Sequence, residues 1–176
     1  MPSRNLEGMN PLVNYKIPFM GLKPGNYSFQ MDVDPEFFAC FPESEIQNAQ
    51  GVMDVILEYS ETTMTLRLEL DLTWKVPCGR CLEDLTYPLQ SEDEIVIRFG
   101  DKTEYGDSLW ILSKNEFELD ISQTIYELAH LSRPPHQVHE NENDCDPKML
   151  GYTSNDSREE SNKLTDPCWD ALKNLK

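Results

Sequence analysis

The sequence predicts an α+β fold: a curled antiparallel β-sheet or partly open β-barrel, with a covering helix and a short C-terminal helix. Three observations carry that expectation. Apolar and polar residues alternate with period two in successive stretches, turn signals separate those stretches, and two capped apolar stripes of helical spacing follow them.

The first alternation is Val13, Tyr15, Ile17, Phe19, which reads as a strand with one buried face. Lys23-Pro24-Gly25-Asn26 reads as a turn into Tyr27, Phe29, Met31, Val33, and a shorter helical turn is expected after Asp34-Pro35. Met53, Val55, Leu57 and Tyr59 lead through a tight hairpin at Ser60 to Thr63 into the longest signal. There Met64, Leu66, Leu68, Leu70, Leu72, Trp74 and Val76 alternate with Thr65, Arg67, Glu69, Asp71, Thr73 and Lys75. A strand of that length exceeds the usual size of about 5–6 residues, so the sheet is expected to twist and curl. A longer hairpin loop, Pro77 to Asp84, precedes Leu85, Tyr87, Leu89 and then Ile95, Ile97, Phe99. Pro88 and Glu92-Asp93-Glu94 place this last strand at an edge or give it a bulge.

Two helices follow. Asp120 with Gln123 matches a capping box, and Ile121, Ile125, Leu128 and Leu131 repeat at helical spacing until Arg133-Pro134-Pro135. This helix is expected to cover the apolar face of the sheet. Asp166 as N-cap, Pro167 in the first helical position, and a stripe of Trp169, Leu172 and Leu175 give the C-terminal helix, with Lys173 and Lys176 near its negative pole. Between them Asn, Ser, Asp and Glu dominate, with Cys145-Asp146-Pro147 as the compact island. The expected organisation is a β-rich core with its helix over 1–135, an acidic polar linker over 136–165 that is mobile above all from Gly151 to Lys163, and an amphipathic helix over 166–176.

Composition narrows the function. In 176 residues, 32 Asp and Glu face 15 Lys and Arg, a formal net charge of -17. Such a chain repels a polyanion as a whole, which excludes a diffuse, sequence-blind nucleic-acid binder and leaves basic proteins as natural partners. The amino-terminal stretch lacks the apolar core of about 7–15 residues of a secretory signal, and no stretch approaches the roughly 20 apolar residues of a membrane span, so a cytoplasmic protein with no membrane partner is expected. Five cysteines, an odd number, suit reduced thiols or a metal site better than a disulfide framework.

Cys78-Gly79-Arg80-Cys81 is the most informative tetrapeptide. Two cysteines two residues apart at a tight turn bring thiolates to about 3–4 Å, half of a zinc knuckle. Candidates for the other half are His136, His139 and Cys145, of which His139 and Cys145 are chosen; the expected cofactor is structural zinc. Two other readings stay open: thiol–disulfide exchange, which ordinarily places CxxC at a helix N-terminus within a βαβ unit, and two free thiols at a stabilising turn. Cys40, beside Phe37, Phe38 and Phe41, is expected to be a small core residue, and His130 a structural one. The sequence holds no HExxH, phosphate-cradling glycine loop, GxSxG or calcium loop, so neither an enzyme nor a small-molecule substrate is expected. Arg80, with Lys75 and Arg67, is a candidate basic spot, the alternative being an ion pair with Glu83 or Asp84. Trp169, Leu172 and Leu175 either dock on the parent domain or anchor in a partner's groove.

Three segments together resemble a known family. These are Cys78-Gly79-Arg80-Cys81-Leu82 between long strands, the Asp120 to Leu131 helix followed by Pro-Pro and a His…Cys pair, and the ending Asp-Pro-Cys-Trp-Asp-Ala-Leu-Lys-Asn-Leu-Lys. They are similar to the bacterial YceD family, named for accumulation of large-subunit ribosomal RNA, from about Tyr15 onward, with a linker closest to Bacteroidetes versions. The resemblance implies a non-enzymatic ribosome-biogenesis factor that supports synthesis, processing or accumulation of that RNA. It would act through ribosomal or rRNA-processing proteins, with any direct rRNA contact confined to the region of Arg80. It also implies that His139 and Cys145 complete the site begun by Cys78 and Cys81. Cys168 stands where the family usually has Arg. The readings outside this resemblance are a thiol–disulfide oxidoreductase using the CGRC motif and a structural binding module for a basic protein.

Overall fold

The computed structural model describes residues 11–154. The C-terminal helix read over 166–176, with Trp169, Leu172 and Leu175, lies outside the described residues, as does the stretch from 155 onward of the segment read as a linker.

In chain order a 3-10 turn (Pro11–Tyr15) is followed by β1 (Lys16–Pro18), β2 (Gly25–Val33), α1 (Pro35–Ala39), β3 (Ala49–Tyr59), β4 (Thr63–Pro77) and β5 (Asp84–Gly100). Then come β6 (Glu104–Tyr105), β7 (Leu109–Ser113), β8 (Glu118–Asp120), α2 (Ser122–Leu131), a 3-10 turn (Glu142–Asp144) and α3 (Pro147–Ser154). Six strands form one sheet in the order β2-β3-β4-β5-β7-β6, and β1 pairs with β8 in a small second sheet. The large sheet curls without closing, since β2 and β6 remain its edges. All its pairings are antiparallel except β5 with β7, which is parallel.

Strict alternation explains why one face is dry. Leu66, Leu68, Leu70, Leu72 and Trp74 of β4 are buried, together with Met53, Val55 and Leu57 of β3 and Leu89, Ile95 and Ile97 of β5. The intervening Arg67, Glu69, Asp71 and Thr73 face solvent. α2 lies over the dry face through Ile125, Leu128 and Ala129, as expected of a covering helix.

Several local expectations need correction. Of the two readings of β5 the edge holds and the bulge does not, since the β4–β5 register runs unbroken from Thr63↔Arg98 to Pro77↔Asp84. β5 is an edge over its first part, because β7 pairs only with Val96 to Gly100, and Pro88 falls in that part, where an absent N–H is tolerated. The alternation from Val13 to Phe19 yields only a three-residue strand: β8 offers just three partners, and Val13 stands 51% exposed in the preceding turn. At α2 the capping box does not form. The Asp120 carboxylate accepts from the Ser122 N–H at 3.0 Å and hydroxyl at 2.6 Å, while Gln123 donates forward to Glu127 at 2.8 Å. The chain enters α2 directly from β8, with the Ile121 N–H held by the Tyr15 carbonyl, and this fixes where the helix starts. Leu131 is 80% exposed, so the buried stripe ends at Ala129.

α1 follows its sequence signal, with the Asp34 carboxylate accepting from the Phe37 N–H at 3.0 Å and Phe37 and Phe38 buried. Cys40 is half-buried, not a core residue, and its thiol donates to the Glu36 carbonyl at 3.4 Å. The first part of the polar segment after Pro135 contains a 3-10 turn and α3, which composition alone did not suggest. Val138, Met149 and Leu150 pack there around Cys78, Cys81 and Cys145, giving a small second core beneath the β4–β5 hairpin.

Candidate metal centre

The centre is assembled from two chain segments. The first is the tip of the β4–β5 hairpin, where the Cys78 N–H donates to the Glu83 carbonyl and the Leu82 N–H to the Cys78 carbonyl, both at 2.8 Å. Turning back so tightly sets Leu82 at φ 63°, a left-handed conformation unusual for a bulky residue. The second segment returns beneath the hairpin after α2 and is tied to it by the Gly79 N–H, which donates to the Gln137 carbonyl at 2.7 Å.

These ties bring together four side chains. Sγ of Cys78, Cys81 and Cys145 and a ring nitrogen of His139 all lie within 4.8 Å of one another. His139 Nδ1 stands 3.5 Å from Cys81 Sγ and 3.5 Å from Cys145 Sγ. A tetrahedral ion with bonds of about 2.3 Å to sulfur and about 2.0–2.1 Å to nitrogen requires S···N edges of about 3.6 Å, so the imidazole already sits at ligand spacing from both thiols. The donor set, three soft thiolates and one imidazole in a closed and largely buried pocket, is that of a structural metal site able to hold zinc. Nδ1 faces the sulfurs, so His139 would hold an ion through Nδ1 with its proton on Nε2. His136 is exposed and is not one of the four.

The thiols are electrostatically unequal. Burial works to raise Cys78, but hydrogen bonds from the backbone at Cys81, Arg80 and His139 and from the Cys81 side chain outweigh it and bring it down to about 6. The Arg80 N–H is 3.4 Å from Cys78 Sγ. Burial, followed by the hydrogen bonds and charges of Cys81 and Cys78, pushes Cys145 up to about 11. Crowded sulfur charge of this kind is what a bound dication relieves.

Arg80 turns toward the centre. Its Nη1 lies 3.8 Å from Cys145 Sγ and 3.9 Å from Glu142 Oε1, so its carboxylate neighbour is Glu142 and not Glu83 or Asp84. The expected basic spot is not assembled. Arg67 is held by Glu58 at 3.1 Å and Glu94 at 2.8 Å, and it lies eight residues along β4 from Lys75, about 27 Å at strand rise. His130 has Nδ1 2.9 Å from the Tyr126 carbonyl and its ring against Tyr126 at 4.2 Å, while its Nε2 is buried with no partner among the described residues.

The CxxC sits between two strands and not at a helix N-terminus, so the dipole that activates exchange cysteines is missing here. The apolar surround of Val138, Met149 and Leu150 was not anticipated. One signal could have found it: Asp146-Pro147 has the same Asp-Pro sequence that was read as a helix start at Asp166-Pro167, and the Asp146 carboxylate accepts from the Lys148 N–H at 2.9 Å.

Among the described residues no helix is long and apolar enough to cross a membrane. Residues 66–176 match the family model described as large ribosomal RNA subunit accumulation protein YceD, a span that includes both halves of the centre. No curated protein and no solved structure matches.

Proposed function

The chain belongs to the YceD family of large ribosomal RNA subunit accumulation proteins, and from that premise we propose that it is a cytoplasmic, non-enzymatic ribosome-biogenesis factor. It supports synthesis, processing or accumulation of large-subunit ribosomal RNA through ribosomal or rRNA-processing proteins. The observation that carries this reading is the family match across both halves of the Cys/His centre. The charge of -17 favours basic protein partners over an extended RNA surface. Arg80, with its side chain 26% exposed at the rim of the centre, and the stripe Trp169, Leu172 and Leu175 are the proposed partner-contacting residues.

Within this reading Cys78, Cys81, His139 and Cys145 hold zinc. The ion would supply a cross-link between the hairpin tip and the returning segment, and no reaction step. Deletion of the gene is expected to deplete large-subunit RNA or leave it unprocessed, and normal ribosomal profiles would overturn the reading. Protein purified in reducing buffer is expected to carry one zinc per chain. The rival reading is a thiol–disulfide oxidoreductase using Cys78 and Cys81. Metal-free protein that turns over disulfides would establish that rival.

A further inference from the structure

The inner face of β5 breaks its apolar pattern at a charged position. Leu89, Ile95 and Ile97 are buried on that face, and Asp93 occupies an inward position among them. Asp93 opens onto a cleft of about 490 Å³ between the sheet and the first turns of α2, a size within the range of about 300–1,000 Å³ of ligand clefts. Asp107, Asp120 and Glu127 line the same cleft, with Tyr105 and Trp110 as its aromatic wall, their rings 4.9 Å apart and nearly perpendicular at 87°.

Two features set this cleft apart from an ordinary acidic surface. No Lys, Arg or His lines it, and none of the four carboxylates forms an ion pair with a described residue. Asp93 accepts from the Glu94 N–H, Asp120 from Ser122 and Glu127 from Gln123, contacts that orient the carboxylates without neutralising them, and Lys16, opposite Asp120 in the β1–β8 ladder, is itself bonded to Glu118. Trp110 is 5% exposed, and its indole N–H has no acceptor among the described residues. An inward-facing acid and an indole donor with no protein acceptor leave charge and hydrogen-bonding capacity in one cavity open to a ligand.

We propose that this cleft binds an arginine-bearing segment of a protein partner. The guanidinium lies among the carboxylates, where its planar fork makes paired hydrogen bonds, and against the Tyr105 ring as a cation–π contact. A backbone carbonyl of the same segment accepts from the Trp110 indole. A polyamine brings the charge but no acceptor, and the cleft has room for residues flanking the arginine. The proposal takes up the protein-partner part of the proposed function and rests on it for its biological meaning. The two fail separately, because binding is read on purified protein and the ribosomal reading on cells.

The test titrates the full ¹⁵N-labelled chain with a blocked Gly-Arg-Gly tripeptide, the matched Gly-Gln-Gly tripeptide and spermidine. The arginine peptide is expected to shift the Trp110 indole and the amides of Ser122 to Thr124, while the glutamine peptide leaves them in place. Asp93→Asn is expected to weaken that binding about tenfold, and Glu127→Gln, at an exposed helix position where folding is not at issue, to weaken it as well. Glu69→Gln on the opposite sheet face is expected to leave it unchanged. Shifts spread over the outer sheet face, equal losses in all three variants, no response to the arginine peptide, or a cleft response to spermidine alone would each overturn the proposal.

Discussion

At Gly51 the chain runs so close to β4 that a methyl group has no room. A Cβ there would stand 2.1 Å from the Asp71 carbonyl oxygen and 2.8 Å from Leu72 Cα, both backbone atoms in the sheet's centre. Gly51→Ala is therefore expected to force β3 from β4 and to destabilise the fold by about 1–3 kcal/mol or more, read as a lower urea midpoint. An isolated glycine ahead of an alternating run hints at such a contact, but its severity depends on a partner strand about twenty residues away. Tyr15 makes a second residue-scale prediction. Burial, then the charges of Asp34, Cys40 and Asp32, push its phenol up to about 12, and its hydroxyl donates to the Asp32 carbonyl at 2.8 Å. An unfolded tyrosine releases its proton near pH 10. Its contribution is therefore complete below about pH 10 and is lost as pH rises toward about 12, because the folded state holds the proton longer. Denaturation from neutral to alkaline pH should show that decline, and Tyr15→Phe should flatten it while lowering neutral stability by about 1 kcal/mol. At the candidate metal centre Cys78 and Cys81 were legible from their spacing, and His139 and Cys145 from residue type together with the family resemblance. The Gln137 carbonyl that ties their two segments together was not, since any residue's carbonyl would serve.

Among the elements, the β4–β5 hairpin tip and the returning segment share a small core of their own, Cys78, Cys81, Cys145, Val138, Met149 and Leu150, which joins the main sheet through Leu85 of β5. So small a core needs a cross-link to persist, which the proposed zinc supplies. Chelation is thus expected to accelerate amide exchange at 78–82 and 137–150 while β3 and β4 keep their protection. Uniform loss of protection throughout the sheet would contradict that division. His139→Ala should mimic the chelator in the same exchange pattern. Strands β2 to β5 could be read in advance because each turns one more buried face inward, dry in β3 and β4 and partly buried in β2 and β5, and so declares itself by period two. β1 could not be delimited that way: its length is set by the three residues of β8, which lie a hundred positions later. α3 escaped because its setting is polar, and the Asp146-Pro147 signal weighed less than the surrounding Asn and Glu. The start of α2 differed because a strand, β8, runs straight into the helix and uses Asp120 in its own ladder.

For the whole molecule the dominant fact is unbalanced charge, -17 in all. The sheet concentrates it. Register places Asp54 opposite Glu69 and Glu69 opposite Glu92 on the outer face, three carboxylates abreast, while neighbouring Arg67 is already held by Glu58 and Glu94. Like charges directly opposite one another oppose strand pairing by roughly 0.2–1 kcal/mol each. They act over about 30 Å at 0.01 M salt but only about 8 Å at 0.15 M. Salt should therefore stabilise this protein. Raising ionic strength over that interval is expected to increase Tm by several degrees, since 1 kcal/mol corresponds to about 2–4 °C in a chain of this size. Glu69→Lys, which converts both unfavourable pairs into favourable ones, should raise Tm at low salt and remove part of the salt dependence. If added salt lowered Tm, the ion pairs of Lys16, Arg67 and Arg133 would have to outweigh the repulsion. They are few and partly exposed, and pairs of that kind contribute only about 0–1 kcal/mol each. The same uncompensated field that salt would relieve in isolation is available to a basic partner, whose docking would neutralise it. Partner binding should accordingly weaken over the very range of salt in which the free protein becomes more stable.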